Sequence, residues 1–393
     1  MALVPKGYVM SGDRVVASIE NDIVTVLDKQ RCPYFLMNIS NIEMWLEDRA
    51  FDTTRGHSRS LRRVSNLTAK TDAEIALRFY GATITDNYWI KTEENGDFTY
   101  EDVRFETDQL FLLALSGAAS DLNHKPEDIK SPQFTVSGCL EKGWKLEGDE
   151  WFLYKRANAF EQFNELFTSN VSKALGIETV KYIATSTGVK SANFAYGFNF
   201  EDMMGIVQKN SADYDFVYHK ILDVFGPKAA LDYIKLLYAD AICCNQDRHS
   251  KNFGILRDIE TGAFVSLAPN YDFNQSLFGD NVDVNTKIHA HEDYLISDLC
   301  NLMRSEKIEC PLPQLTETEL RKATQGLEFY PFYEDAIRFV LERQQLIFDL
   351  LPKNVPVIGG KGSCKYADYV TEPSAIGKIA TDFNSPDLPK DKE

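Results

Sequence analysis

Residues 243–256 read CCNQDRHSKNFGIL. Asp247 and Asn252 stand five positions apart, and Tyr271-Asp272-Phe273 follows twenty residues after Asn252. Phosphoryl transfer asks a protein for little covalent chemistry: the nucleophile must be held in line and the phosphate charge neutralised. A carboxylate beside the incoming hydroxyl can accept its proton, and hard oxygen donors suit Mg²⁺. A kinase catalytic loop uses an Asp, an Asn five residues on, a hairpin, and then a metal-binding Asp. Asp247, Asn252 and Asp272 reproduce that order, with Asp247 as base and Asn252 and Asp272 as metal ligands.

The flanking segments support the same reading. Upstream, KAALDYIKLLYADAICC places Ala230, Tyr233, Ile234, Leu237, Tyr238, Ala241 and Ile242 on one helical face. Downstream, FGILRDIETGAFVSLAP reads as a hairpin turning at Glu260-Thr261-Gly262. Before these, FTVSGCLEKGWKLEGDEWFLYKRA reads as two or three strands joined by Gly-containing turns. AFEQFNELFTSNVSKALGI then has helical spacing and stops at Gly176, and VKYIATS and SANFAYGF read as further strands. Lys155 on its strand and Glu165 on the following helix suit the pair that fixes a nucleotide's phosphates. Glu161 competes for that role, and spacing from Gly176 favours Glu165. TVSGCLEK supplies a loop in which Ser137 and Gly138 let backbone N–H groups approach phosphate oxygens, with Lys142 adding charge. Adenine is placed against the segment from Phe194 to Phe198.

In order, TVSGCLEK, the strand lysine, the helix ending Leu-Gly-Ile, DRHSKNF and APNYD resemble the HipA-like serine/threonine kinases over about 131–350. MWLEDRAF, SLRRVSNL and TDNYWIK look like the leader region of HipA-like proteins from Gram-positive bacteria and their phages. The resemblance implies an ATP- and Mg²⁺-dependent protein kinase and autophosphorylation in the phosphate loop, at Thr135 or Ser137. Members of the family include toxins that phosphorylate a translation component and pair with a DNA-binding antitoxin, so both are implied partners. The chain departs from the best-known members at Arg248, where they often carry Gly, and in a shorter segment after the phosphate loop.

The expected fold is α+β and bilobal, protein-kinase-like. Its parts are an N-terminal α/β domain over 1–125, a β-rich small lobe over 126–205, a helical large lobe over 206–352 and an extension over 353–393. Thr316 with Glu319 forms a capping box, and Pro331 opens a last long helix. The charge of −17 disfavours nucleic acid and anionic membranes as general partners. Seven cysteines without a CxxC, no signal-peptide pattern and no apolar run long enough to span a bilayer predict a soluble cytoplasmic protein.

Several weaker features have ordinary readings. His249 suits a brace for the catalytic loop, and Cys243 and Cys244 suit the core. His289 and His291 read as loop residues. The basic run Arg55, His57, Arg59, Arg62 and Arg63 pairs with acidic surface more readily than it binds phosphate or RNA. Three alternatives stay open. A phosphatidylinositol-like lipid kinase carries a similar loop but follows it with Asp-Phe-Gly, where this chain has Asn274. A small-molecule kinase would use the same chemistry. A catalytically weak regulatory binding module would be free to lose at least one member of the Asp247, Asn252, Asp272 and Lys155 set.

Overall fold

A computed structural model describes residues 2–52, 54–118, 125–136, 138, 140–208, 211, 213–277, 294–309, 311–351 and the backbone of 357–358. Ser137, Cys139, His289, His291 and nearly all of the 353–393 extension lie outside the described residues. The chain is α+β and divides into two compact units. The first holds residues 1–156, 189–210 and 254–268, and the second holds 157–188, 211–253 and 269–393.

In the first unit, β1 (Lys6–Ser11), β2 (Arg14–Glu20), β3 (Ile23–Val26) and β4 (Tyr88–Thr92) form a sheet ordered β3-β2-β1-β4. From these strands, Val9, Val16, Ile19, Val24 and Ile90 form a core with Trp45 and Leu46 of helix Ile42–Arg49. Asn41 caps that helix by accepting from the N–H of Met44. A second core gathers Phe79, Trp89, Phe105 and Phe134, with Phe79 stacked on Phe134 at 5.0 Å. β5 (Lys142–Glu147) and β6 (Glu150–Arg156) form an antiparallel hairpin. TVSGCLE therefore precedes β5, which begins at Lys142, and follows a 3₁₀ turn at Pro132–Phe134.

The run SANFAYGF is not one strand. A strand ends at Ala192 and the next begins at Phe198. Between them Asn193 turns the chain by accepting from the N–H of Ala195, and Gly197 takes a positive φ. Strand Phe198–Asp202 pairs with Gly254–Asp258, which pairs with Phe264–Leu267. This hairpin is anchored by Arg257, whose buried guanidinium donates to Glu201 Oε1 (2.5 Å), Cys32 O (2.9 Å), Gly262 O (3.0 Å) and Gln30 O. Gly262 has φ +71°, and a Cβ there would overlap the Gln30 carbonyl. The hairpin expected from sequence is thus built into the packing of the N-terminal residues.

In the second unit, helix Pro227–Cys243 packs on helices Ala159–Ala174, Tyr214–Phe225, Tyr294–Ser305 and Tyr333–Leu350. That position buries it nearly all round, Asp240 included, so the single apolar face read from its sequence is too narrow. The capping box at Thr316 and Glu319 is present, and the last helix starts at Tyr333, two residues after Pro331. Among the described residues no helix is long and apolar enough to cross a membrane.

Candidate functional site

Helix Pro227–Cys243 ends where Cys244 enters the left-handed region at φ +52°, and this turn launches the loop that carries Asp247 and Asn252. The loop closes on itself. Asn245 Oδ1 accepts from the N–H of Asp247 (3.3 Å), and the carbonyl of His249 accepts from the N–H of Asn252 (2.8 Å). Asn252 Nδ2 donates to the carbonyl of Asp247 (2.8 Å) and to its carboxylate Oδ2 (3.0 Å). The amide nitrogen is thereby committed to Asp247, which leaves Asn252 Oδ1 as the atom of that side chain able to ligate a metal. His249 Nδ1 accepts from the N–H of Lys251 (3.2 Å), and its Nε2 lies 3.5 Å from Asp247 Oδ1. The bracing role read for His249 therefore has a geometric basis.

Asp247 is half-buried, and burial raises its pKa above the ordinary carboxylate value. His249 acts in the opposite direction, Asp272 adds to the rise, and the Asn252 hydrogen bond and Arg248 lower it. Asp272 therefore lies close enough for the two carboxylates to feel each other. Asp272 itself has φ +64°, a conformation that Asp tolerates better than bulkier residues. Its N–H donates to Tyr182 Oη at 3.1 Å, and the next N–H, of Phe273, donates to Glu165 Oε2 at 2.9 Å. Glu165 is buried within helix Ala159–Ala174, whereas Glu161 closes the capping box with Asn158 at the start of the same helix. Of the two competing carboxylates, Glu165 is the one tied to the Asp272 turn.

The residue that joins these loops is one whose role sequence reasoning did not identify. Arg248 and Asp240 are completely buried as an ion pair, with Arg248 Nε at 2.7 Å and Nη2 at 3.0 Å from the two carboxylate oxygens. Arg248 Nη1 then donates to the carbonyls of Asn252 and Tyr271 (3.0 Å to the latter). One guanidinium thus fixes the loop of Asn252 and the turn of Asp272 together. The signal available was the departure at Arg248, eight residues after Asp240, a charged residue within the otherwise uncharged run LLYADAICC.

The expected nucleotide-side residues lie in the first unit. Lys142 and Lys155 are Cα partners across the β5–β6 hairpin, so both side chains leave the same face, and both are largely buried. Gly138 has φ +93°, and a Cβ there would stand 2.5 Å from Lys142 Nζ. The lysine amine therefore lies over the backbone of the expected phosphate loop. Thr135 Oγ1 donates to the Pro132 carbonyl at 2.9 Å. Phe194 packs edge-on against Phe200 at 5.3 Å, in a cluster with Ala195, Leu256 and Ala268. Cys243 and Cys244 are buried free thiols, and burial pushes the Cys243 thiol up. Within the basic run, Arg55 is buried, His57 pairs with Glu141 and Arg62 pairs with Asp72, whereas Arg59 and Arg63 are exposed.

Comparisons with known proteins bear on this arrangement. None of the curated proteins matches the chain. Among solved structures, a chain of the Shewanella oneidensis MR-1 toxin–antitoxin complex of HipA, HipB and operator DNA matches with TM-score 0.50 and 12% identity. That match covers 88% of this chain and 96% of the other. The proinflammatory kinase CtkA of Helicobacter pylori matches with TM-score 0.38 and 16% identity, over 53% of this chain and 90% of that one. The family model described as the HipA-like C-terminal domain matches residues 144–325, a span that includes Lys155, Glu165, Asp247, Asn252 and Asp272. Over that span, the chain is similar to the HipA-like C-terminal domain.

Proposed function

We propose that the protein is an ATP- and Mg²⁺-dependent serine/threonine protein kinase that transfers the γ-phosphate to a protein hydroxyl. The observation that carries this reading is the joint fixing of Asn252 and Asp272 by Arg248 beside a carboxylate suited to proton acceptance. The donor set fits Mg²⁺: Asn252 offers Oδ1 because Nδ2 is held by Asp247, and Asp272 offers carboxylate oxygens. When bound, Mg²⁺ neutralises phosphate charge as it develops. Asp247 takes the proton from the acceptor hydroxyl. Its raised pKa brings it closer to that of a proton acceptor working near neutrality. His249 and Asn252 orient it. Glu165 holds the Asp272 turn through the N–H of Phe273. Lys142 and Lys155 set two cations on one face of a hairpin, which suits a polyanion such as a nucleotide's phosphates. Gly138 opens the backbone to close approach, and Phe194 offers an aromatic surface for adenine.

The family suggests Thr135 and Ser137 as positions of autophosphorylation, and a DNA-binding antitoxin as a partner, as in the complex that supplies the structural likeness. A test is incubation with γ-labelled ATP and Mg²⁺ beside Asp247→Ala, followed by phosphopeptide mapping. Label on Thr135 or Ser137 in wild type alone supports the protein-kinase reading. Nucleotide binding without labelled protein turns the reading toward a lipid or small-molecule acceptor.

A further inference from the structure

The segment from Thr135 to Glu141 is gripped at both ends by residues 51–57, far upstream in sequence. At its start, the N–H of Phe51 donates to the Phe134 carbonyl at 2.9 Å, and Arg55 Nη1 donates to the Gln133 carbonyl at 3.3 Å. At its end, Arg55 Nη2 donates to the Lys142 carbonyl, and His57 Nε2 lies 2.9 Å from Glu141 Oε1. Gly56 permits this approach, since a Cβ there would stand 2.6 Å from Glu141 Cγ. Glu141 is held from its other side by Arg156, at 3.0 Å. Gln133 completes the staple by bonding both backbone groups of Trp144 through its side chain.

Arg55 is 2% exposed. Burial pushes its pKa down to about 10, with Glu141 acting the other way. Two carbonyls need only two donors, and a neutral side chain would supply them without the cost of a buried cation. A guanidinium does what a neutral amide does not: it spans carbonyls at both ends of the segment with one rigid fork and leaves a fixed positive charge beneath it.

We infer that Arg55, with His57, is a positioning device by which the N-terminal region sets the conformation of the phosphate loop and hence the affinity for nucleotide. The inference rests on the kinase reading above, because it takes 135–141 as the loop over the phosphates. It gives the N-terminal region a specific role, in which the nucleotide affinity of the kinase domain depends on residues that precede that domain in sequence.

The test is Mg²⁺-ATP binding by titration calorimetry on the full chain, for wild type, Arg55→Ala, Arg55→Lys and Arg49→Ala. Arg49 is a control from the same unit, since it pairs with Asp86 at 2.7 Å and directs its other hydrogen bonds to Gly81, Thr83 and Tyr88. Arg55→Ala is expected to weaken binding about tenfold or more, the scale on which displaced binding groups act. Arg55→Lys is expected not to restore it, because an ammonium on a flexible stem does not bridge both carbonyls as a planar fork does. Arg49→Ala is expected to lower the melting temperature and leave the affinity within about twofold of wild type. Equal affinities for wild type and Arg55→Lys overturn the inference, and Arg55→Lys carries the test if Arg55→Ala does not fold. Absence of nucleotide binding by wild type instead removes the kinase reading on which the inference rests.

Discussion

Replacing Arg248 by Met isolates the contribution of the buried clamp. The substitution preserves most of the volume and removes the charge. Among the described residues it leaves Asn245 Nδ2, at 3.0 Å, as the side-chain donor to a fully buried Asp240. Breaking one partner out of a buried ion pair typically costs about 3–5 kcal/mol, because the orphaned charge keeps its desolvation penalty. The two carbonyls of Asn252 and Tyr271 lose their shared donor as well. Urea denaturation should therefore show a loss on that scale for Arg248→Met. The double variant Arg248→Met with Asp240→Asn removes the orphaned charge and should recover most of the loss. Its phosphotransfer should stay depressed, by about a hundredfold, because the two loops are no longer tied to one fork. The contrast separates stability from positioning. A single variant within about 1 kcal/mol of wild type, the range of ordinary substitutions, refutes the reasoning. A double variant no more stable than the single one refutes it equally.

Other expectations follow from particular side chains. Glu342 lies largely buried on helix Tyr333–Leu350, its Oε1 has no partner among the described residues, and burial raises its pKa above 4.5. The folded state therefore holds the proton more tightly than the unfolded one. The penalty is absent below the unfolded value and grows as pH rises through the folded one. Glu342→Gln should raise the melting temperature at neutral pH, by an amount equivalent to about 1–2 kcal/mol, and the gain should vanish in acid. Gly262→Ala places a methyl against the Gln30 carbonyl at a positive φ. It should destabilise the first unit by about 1–3 kcal/mol, read as a lower melting temperature.

The local elements of this chain were legible in its sequence. The loop of Asp247 and Asn252, the hairpin after it and the Asp272 turn follow one another in the order their spacing suggested. The helix ending at Gly176 and the capping box at Thr316 rest on patterns within a few residues. What the sequence did not show is the set of buried cations. Arg257 meets Gln30 and Cys32 from more than two hundred residues away, and Arg55 meets Lys142 across 87. No periodicity links such partners, and an arginine in an acidic chain reads first as surface. Burial reverses that reading, because a guanidinium satisfies several backbone carbonyls that loops and strand ends leave open. The same long-range packing hides the integration of hairpin Gly254–Leu267 with the N-terminal residues. SANFAYGF failed for a local reason: its aromatic residues suggest a strand, while Asn193 and Gly197 make the turn.

The Mg²⁺ dependence of ATP affinity, compared between wild type and Asp272→Asn, reads out whether the Asp272 turn holds the metal. If Asn252 and Asp272 hold the metal that carries the phosphates, wild type binds ATP more tightly with Mg²⁺ than without it. Asp272→Asn, which keeps the shape and removes the charge, loses most of that difference. ATP binding that is absent in wild type, or equally Mg²⁺-dependent in both proteins, contradicts the account.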